Sequence, residues 1–187
     1  MAGMRAVDPR VTYDELCAWP DDGKRYELYD GEVIVVPAPN WAHQRIITAL
    51  IELLKAYEHT NGGGVVAAPF DIVLSQYDVL QPDVVYFTAE KRARIQPTEG
   101  SYVVPDLAVE VLSRSTARRD RGRKMELLAR FGLPEYWLIE PFERTLEVYV
   151  RGEDSQLVES GAYDRQQEFA SPTLPSLRFP VARLFED

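Results

Sequence analysis

The sequence predicts an α/β fold in which a mixed β-sheet is flanked by helices. Asp30 and Gly31 separate two apolar runs, and Asp-Gly in that position is typical of an antiparallel hairpin. Apolar residues recur at helical spacing after Asn40 and again after Thr116. Short runs rich in β-branched residues lie around these two helices. Strands that meet helices on two sides, behind an antiparallel front, indicate a mixed sheet.

The first half of the chain begins with a short helix, because Thr12 is followed three residues later by Glu15, as in a capping box. Asn40 is suited to cap a longer, amphipathic helix. The elements that we predict here are a hairpin with strands at 26–29 and 32–36, a helix from Asn40 to about Tyr57, a strand at 65–75 bent by Pro69, and a strand at 82–87.

The second half opens with a charged connector at 88–100 and then a strand that is apolar on both faces. Ser115 or Thr116 can cap the next helix, and Gly132 ends it. The other elements that we predict here are strands at 106–113, 135–139 and 145–150, short strands near 157–158 and 169, and a proline-punctuated tail from Leu174 to Asp187.

Length and composition favour one domain, which we expect to span residues 1–187. The single cysteine, Cys17, excludes an internal disulfide and fits a reducing cytoplasm. Residues 1–10 lack the apolar centre of a signal peptide. No apolar run approaches the roughly 18 residues that a membrane helix needs. We therefore expect a cytoplasmic protein with no membrane partner.

Two predicted strands each carry a carboxylate among apolar residues. Asp83 follows a proline, as does Asp106, so each can simply begin its strand. Glu110 lies between two valines in mid-strand, where glutamate is disfavoured, and an ion pair with a covering helix is the main alternative. A buried carboxylate needs a partner or a cation. Two carboxylates from adjacent strands would make a site for Mg²⁺.

The net charge of −9 argues against tight, nonspecific binding to nucleic acid. A local basic segment follows the Glu110 strand, and a solvated helix start is the more common explanation for such a run. Six basic residues fall within eleven positions, namely Arg114, Arg118, Arg119, Arg121, Arg123 and Lys124.

Taken in order, these segments resemble the restriction-endonuclease-like, or PD-(D/E)XK, nuclease superfamily, and within it a large bacterial family of suspected restriction endonucleases. The similarity runs from about Tyr26 to Val150, which marks the core of the domain. The matching segments are Tyr26–Glu27–Leu28, Asp30–Gly31–Glu32, His43, Pro82–Asp83–Val84, Pro105–Asp106–Leu107, Glu110–Val111–Leu112–Ser113, Asp120 with Lys124, and Glu135–Tyr136–Trp137–Leu138.

The resemblance implies a restriction-endonuclease-like core with an N-terminal hairpin and a C-terminal β meander. It implies that Asp83 and Glu110 hold Mg²⁺ or Mn²⁺ and that a lysine completes the catalytic set. The superfamily lysine lies two residues after the second acid, where this chain has Leu112. Many members carry it on the following helix, and Lys124 is the candidate here. Asp120 and Lys124, four residues apart, can instead form a surface ion pair.

Three further residues have weaker assignments. His43 can reach the same metal from the first turn of its helix, although a solvent-facing helix residue is the favoured explanation. Glu27 can support the site, or can form a salt bridge within the hairpin. His59, near the helix end, is expected to interact with the helix dipole only.

A lysine beside a cation and lined by apolar groups is expected to have a lowered pKa, so Lys124 can orient or deprotonate water, or bind phosphate.

The function expected from these residues is a metal-dependent endonuclease that hydrolyses phosphodiester bonds of nucleic acid, with DNA as the expected partner. An inactive binding or scaffold protein is one alternative, which the net charge of −9 favours. A hydrolase of a small phosphoester is the other. The C-terminal meander has no obvious covering helix, so it can pair with a second copy or fold back on its own sheet. We expect a homodimer, because two sites related by a two-fold axis match a duplex.

Overall fold

The computed structural model describes residues 10–186, and its first half contains the predicted capping box and hairpin. Thr12 accepts a hydrogen bond from the Glu15 amide, and the Glu15 side chain accepts one from the Thr12 amide. The elements of this half are α1 (Tyr13–Cys17), β1 (Arg25–Tyr29), β2 (Glu32–Val36), α2 (Trp41–Asn61), β3 (Gly64–Ala67), β4 (Ile72–Val73), β5 (Val79–Leu80), β6 (Val84–Phe87) and α3 (Ala89–Arg92).

The second half supplies the centre of the main sheet and the segment that covers one of its faces. Its elements are β7 (Leu107–Val111), α4 (Ala117–Arg119), a wide helical turn (Asp120–Lys124), α5 (Met125–Arg130), β8 (Glu135–Glu140), β9 (Thr145–Arg151), β10 (Leu157–Asp164), β11 (Glu168–Ala170), β12 (Arg178–Pro180) and a 3₁₀ turn (Val181–Leu184).

The main sheet has six strands in the order β10-β9-β8-β7-β6-β3. Only the β7–β8 pair within it is parallel, and α5 lies on the connection between these two strands. A second sheet of four strands, in the order β2-β1-β5-β4, contains the hairpin. The described residues therefore form the mixed-sheet α/β fold with flanking helices that the sequence predicts.

Alternate residues of the central strands face two separate layers of the core. Val109 and Trp137 pack in the layer that contains Leu50 of α2. Ala108 and Leu138 pack in the layer that contains Leu128 of α5. Side chains of β7 with even numbers therefore point toward α5, which fixes the face on which Glu110 lies.

The C-terminal segment forms part of the core, in contrast to the predicted tail. Leu146 and Val148 of β9 lie fully buried in the layer of the core that the C-terminal segment joins. Glu135 accepts hydrogen bonds from Ser171 Oγ at 2.7 Å and from Thr173 N at 3.1 Å, which fixes the start of this segment. The residues that it buries are Leu174, Leu177, Phe179, Val181 and Leu184. The meander thus folds back on its own sheet.

Several other elements also differ from the prediction. Helix α2 continues to Asn61, four residues beyond the predicted end. The strand predicted at 65–75 is two strands, because the chain leaves the sheet after Ala67, just before Pro69. The helix after Thr116 is kinked at Gly122, whose φ of −114° and ψ of −105° lie outside the helical region.

The longest described helix, α2, has 21 residues and is amphipathic, with a buried face toward the sheet. Within residues 10–186, no helix combines the length and the apolar character that a membrane span requires.

Candidate active site

A cleft of about 180 Å³ lies where the ends of β6 and β7 meet the start of α2. The extended segment after β2 forms one wall, and the segment that leads into α4 forms another. The charged and polar side chains that line it are Arg25, Asn40, His43, Gln81, Asp83, Glu110, Ser113, Ser115, Thr116, Arg119 and Lys124.

The structure brings Asp83 and Glu110 together at one end of the central sheet. Val84 of β6 pairs with Val109 of β7 in an antiparallel register, so the next pair outward is Asp83 and Glu110. Residues directly opposite each other on antiparallel strands point to the same face. Asp83 Oδ2 also accepts a hydrogen bond of 2.8 Å from Val111 N, which ties the end of β6 to β7.

Lys124 extends into the same cleft from the kinked helix. Its Nζ lies 2.5 Å from Glu110 Oε1 and 2.8 Å from Glu27 Oε1, and its side chain is only 2% exposed. The surface ion pair with Asp120 that the spacing allowed is wrong, because both residues are buried and Lys124 binds other carboxylates. Leu128, one turn later on the same helix face, is fully buried and packs against the sheet.

Glu27 connects the hairpin to this lysine. It lies in β1 and is fully buried. Its Oε1 accepts a hydrogen bond of 2.9 Å from Gln81 N, and its Oε2 accepts one of 2.9 Å from the Tyr29 hydroxyl. The proposed salt bridge within the hairpin is wrong, since the cations that it meets are Lys124 and Arg119 of the helix region.

These contacts set the protonation states. Burial alone would lower the pKa of Lys124, but the negative charges of Glu110 and Glu27 raise that pKa well above its ordinary value. Burial alone would raise the pKa of Glu27, but the charge of Lys124 and the hydrogen bonds that Glu27 accepts lower it. The lowered pKa expected for Lys124 is therefore wrong. Lys124 is an ammonium group paired with ionised Glu27.

Glu110 differs from Glu27 although both touch the lysine. Burial raises the pKa of Glu110 well above its ordinary value, and the attraction of Lys124 offsets only part of this effect. The nearby charge of Asp83 raises it further. Its Oε1 is buried and meets the Lys124 ammonium at 2.5 Å. A cation close to Glu110 and Asp83 would compensate this buried charge.

His43 is bound to the site and does not face solvent, so the favoured explanation for it is wrong. Asn40 caps α2 by accepting a hydrogen bond from His43 N, which fixes the first turn of the helix. His43 Nε2 then lies 3.0 Å from Asp83 Oδ2, and both side chains are 11% exposed. His43 thus orients the Asp83 carboxylate from the helix side.

The residues of the cleft fit a hard divalent cation with few protein ligands. Among residues 10–186, no group of three or more His, Cys, Asp or Glu side chains is arranged to hold a metal ion. Asp83 and Glu110 supply two carboxylates at the same end of the β6–β7 pair. Mg²⁺ commonly binds through one or two carboxylates and completes its shell with water and phosphate oxygens. Two carboxylates are therefore a sufficient donor set.

The sequence did not single out Gln81, Tyr29 or Arg119 as site residues. Gln81 and Tyr29 fix Glu27, and Arg119 Nη2 lies 3.8 Å from Glu27 Oε2. A half-buried arginine in a basic run has no pattern that distinguishes it from its neighbours. Asp106, in contrast, has the structural role that its position suggested, because it accepts a hydrogen bond from Thr88 N and pairs with Lys91 at 3.0 Å.

Comparisons with known proteins identify the family through a family model and the fold through a solved structure. The model of the Uma2 family, described as "Putative restriction endonuclease", matches residues 12–182. An uncharacterised protein of Synechocystis sp. is 27% identical over 151 residues, which cover 78% of this chain and 77% of that protein. A crystal structure from Anabaena variabilis, described as a putative nuclease belonging to DUF820, has a TM-score of 0.77 and 20% identity, and covers 94% of this chain and 97% of its own.

Proposed function

This chain belongs to the Uma2 family, and on that premise we propose that it is a metal-dependent nuclease that hydrolyses phosphodiester bonds of nucleic acid, with DNA as substrate. One observation carries the proposal. A buried ammonium group, Lys124 Nζ, lies within 2.8 Å of Glu27 and 2.5 Å of Glu110, in a cleft that also holds Asp83. Acids that can hold a divalent cation, beside a cationic side chain, can supply the charge neutralisation that phosphodiester hydrolysis needs.

We assign Asp83 and Glu110 as the ligands of Mg²⁺ or Mn²⁺. A bound divalent cation would neutralise charge on the phosphate, lower the pKa of an attacking water and stabilise the leaving oxygen. His43 holds the Asp83 carboxylate through its contact of 3.0 Å. Asp83 Oδ2 also accepts the Val111 amide, so the carboxylate is oriented from two sides.

We assign Lys124 an electrostatic role. Its raised pKa keeps the ammonium protonated near neutral pH, so proton abstraction from water is disfavoured. The ammonium can donate hydrogen bonds to a phosphate oxygen or to the attacking water. Glu27 anchors this ammonium, because Glu27 is itself held by Gln81 and Tyr29.

The assay compares supercoiled plasmid, single-stranded DNA, RNA and a chromogenic small phosphodiester, each with Mn²⁺, with Mg²⁺ and with EDTA. Glu110→Ala is the negative control. Metal-dependent cleavage of plasmid that is lost in Glu110→Ala supports the proposal. Cleavage of the small diester alone would assign the chain to small phosphoesters. If the folded protein cleaves none of these substrates, the nuclease proposal is wrong and a binding or scaffold role is supported.

We also propose that the protein acts in the cytoplasm as a homodimer. The argument for the homodimer is the two-fold symmetry of duplex DNA. The meander no longer supports it, because the C-terminal segment packs in the same core layer as Leu146 and Val148 of β9.

A further inference from the structure

Arg119 is a half-buried cation at the wall of the cleft, and within residues 10–186 it has no hydrogen-bonded partner. Its side chain is 20% exposed. Its closest carboxylate oxygens, Glu27 Oε2 and Asp120 Oδ1, both lie 3.8 Å away, which is beyond hydrogen-bonding distance. Within residues 10–186, Arg119 donates no hydrogen bond, and its Nε is buried. Burial of a charged donor without a hydrogen bond is costly unless a ligand supplies the acceptor.

The arginines of this region that do have carboxylate partners at short distance are all more exposed than Arg119. Arg121 pairs with Glu147, and Arg123 pairs with Glu32, although both arginine side chains are more exposed than that of Arg119. Arg130 lies 3.2 Å from Asp78 with a side chain that is 64% exposed. The least exposed of these four guanidinium groups is therefore the one that donates no hydrogen bond.

The position of Arg119 indicates the ligand. It lines the cleft together with Asp83, Glu110 and Lys124, and Lys124 is already committed to two carboxylates. Ser115 and Thr116 bring hydroxyl groups to the same cleft. A guanidinium fork with adjacent hydroxyl donors matches the paired oxygens of a phosphate group.

We propose that Arg119 binds a non-bridging oxygen pair of the substrate's phosphodiester, so that it is a substrate-binding residue of this site. The inference rests on the proposed nuclease function, because it requires a nucleic-acid chain in the cleft. Two carboxylates occupy two of the three N–H donors of Lys124, so Arg119 supplies a second cationic donor with a fork geometry. Neither the resemblance nor the spacing of residues assigns it this role.

The test measures KM and kcat for cleavage of a labelled oligonucleotide with Mn²⁺ by wild type, Arg119→Gln and Arg118→Gln. Arg118 is the matched control, because it is adjacent, exposed, of equal charge and outside the cleft lining. Loss of a charge-assisted hydrogen-bond pair should raise KM roughly 10- to 100-fold in Arg119→Gln. Arg118→Gln should stay within about two-fold of wild type, since exposed charges contribute little.

Arg119→Lys guards against a folding defect, which circular dichroism would detect in Arg119→Gln. It keeps the charge but loses the fork, so it should also raise KM, by a smaller factor than Arg119→Gln. If Arg119→Gln is unfolded, the comparison of Arg119→Lys with Arg118→Lys decides by the same criterion. Inorganic phosphate serves as a competitor, to separate a free phosphate ion from a phosphodiester.

The outcomes separate the two proposals. If wild type cleaves and both Arg119 variants match the Arg118 control, Arg119 does not bind substrate, while the nuclease function stands. If wild type neither binds nor cleaves any oligonucleotide, both proposals fail. In a third outcome, the inhibition constant of inorganic phosphate is as low as the KM of the oligonucleotide, and Arg119→Gln changes that inhibition constant but not the KM. The site then binds free phosphate, and the phosphodiester assignment is wrong.

Discussion

Substitution of Lys124 by methionine should destabilise the folded protein at neutral pH. The side chain is 2% exposed and its Nζ contacts Glu27 and Glu110 at 2.8 Å and 2.5 Å. Removal of one partner from a buried ion pair leaves an uncompensated charge, which costs about 3–5 kcal/mol. Two hydrogen bonds that Glu27 keeps, from Gln81 and Tyr29, favour the lower end of this range.

For a domain of this size, such a loss lowers the melting temperature by roughly 6–20 °C, at about 2–4 °C per kcal/mol. Urea unfolding followed by tryptophan fluorescence measures the free energy directly. Lys55→Met is the control, because Lys55 forms an exposed pair with Glu58 at 2.9 Å on α2. That variant should lose at most about 0.5 kcal/mol.

The destabilisation by Lys124→Met should depend on pH. In wild type the pKa of Glu27 is lowered, so its contribution to stability is present above the unfolded pKa and is lost as pH falls through the folded pKa. In the variant both buried carboxylates lack the ammonium, and protonation relieves the penalty. The difference between wild type and variant should therefore be largest near neutral pH and should shrink toward about pH 4.

The double variant Lys124→Met/Glu27→Gln removes the charge and its counter-ion together. It should be more stable than Lys124→Met alone, because no isolated charge remains beside Tyr29 and Gln81. One result would refute the buried network. The unfolding free energy of Lys124→Met would lie within about 1 kcal/mol of wild type at pH 7, and this difference would not decrease at low pH.

Three further predictions concern the metal, the helix start and assembly. Calorimetry with Mg²⁺ or Mn²⁺ should detect binding to wild type that Asp83→Ala abolishes, and equal binding to both would remove Asp83 from the ligand set. Asn40→Ala deletes the side-chain acceptor of His43 N, so urea unfolding should show a loss of about 1 kcal/mol, and no loss would mean that the cap is unimportant. Sedimentation equilibrium should give a mass near twice that of one 21.3 kDa chain, and a mass near 21.3 kDa would show that the protein is a monomer.

Local pattern placed the strands that carry the two acids, whereas the resemblance to the nuclease superfamily selected Lys124. The strands around Asp83 and Glu110 followed from apolar runs, and once they pair as neighbours their register sets the two residues opposite each other. Lys124 shares a helix face with the buried Leu128, since residues four apart lie on one face.

The remaining errors concern contacts between distant segments. Glu27 pairs with Lys124 because the hairpin packs beside the kinked helix, and no local pattern encodes that packing. His43 was assigned to solvent, since nothing near it in sequence identifies Asp83 as its partner. The pKa direction of Lys124 was wrong for the same reason, because the second carboxylate was unknown. The buried C-terminal segment was missed because its prolines and short runs are typical of tails.

The measurement that tests the proposed site most directly is metal-dependent plasmid cleavage by the double variant Lys124→Met/Glu27→Gln. Circular dichroism first establishes that the variant is folded, so that loss of activity cannot come from unfolding. The buried ammonium is then absent, while Asp83 and Glu110 remain. We predict that cleavage with Mn²⁺ falls by roughly 100-fold or more, as expected for removal of a group that stabilises the developing charge. Cleavage at the wild-type rate by the folded double variant would contradict the assignment of this cleft as the active site.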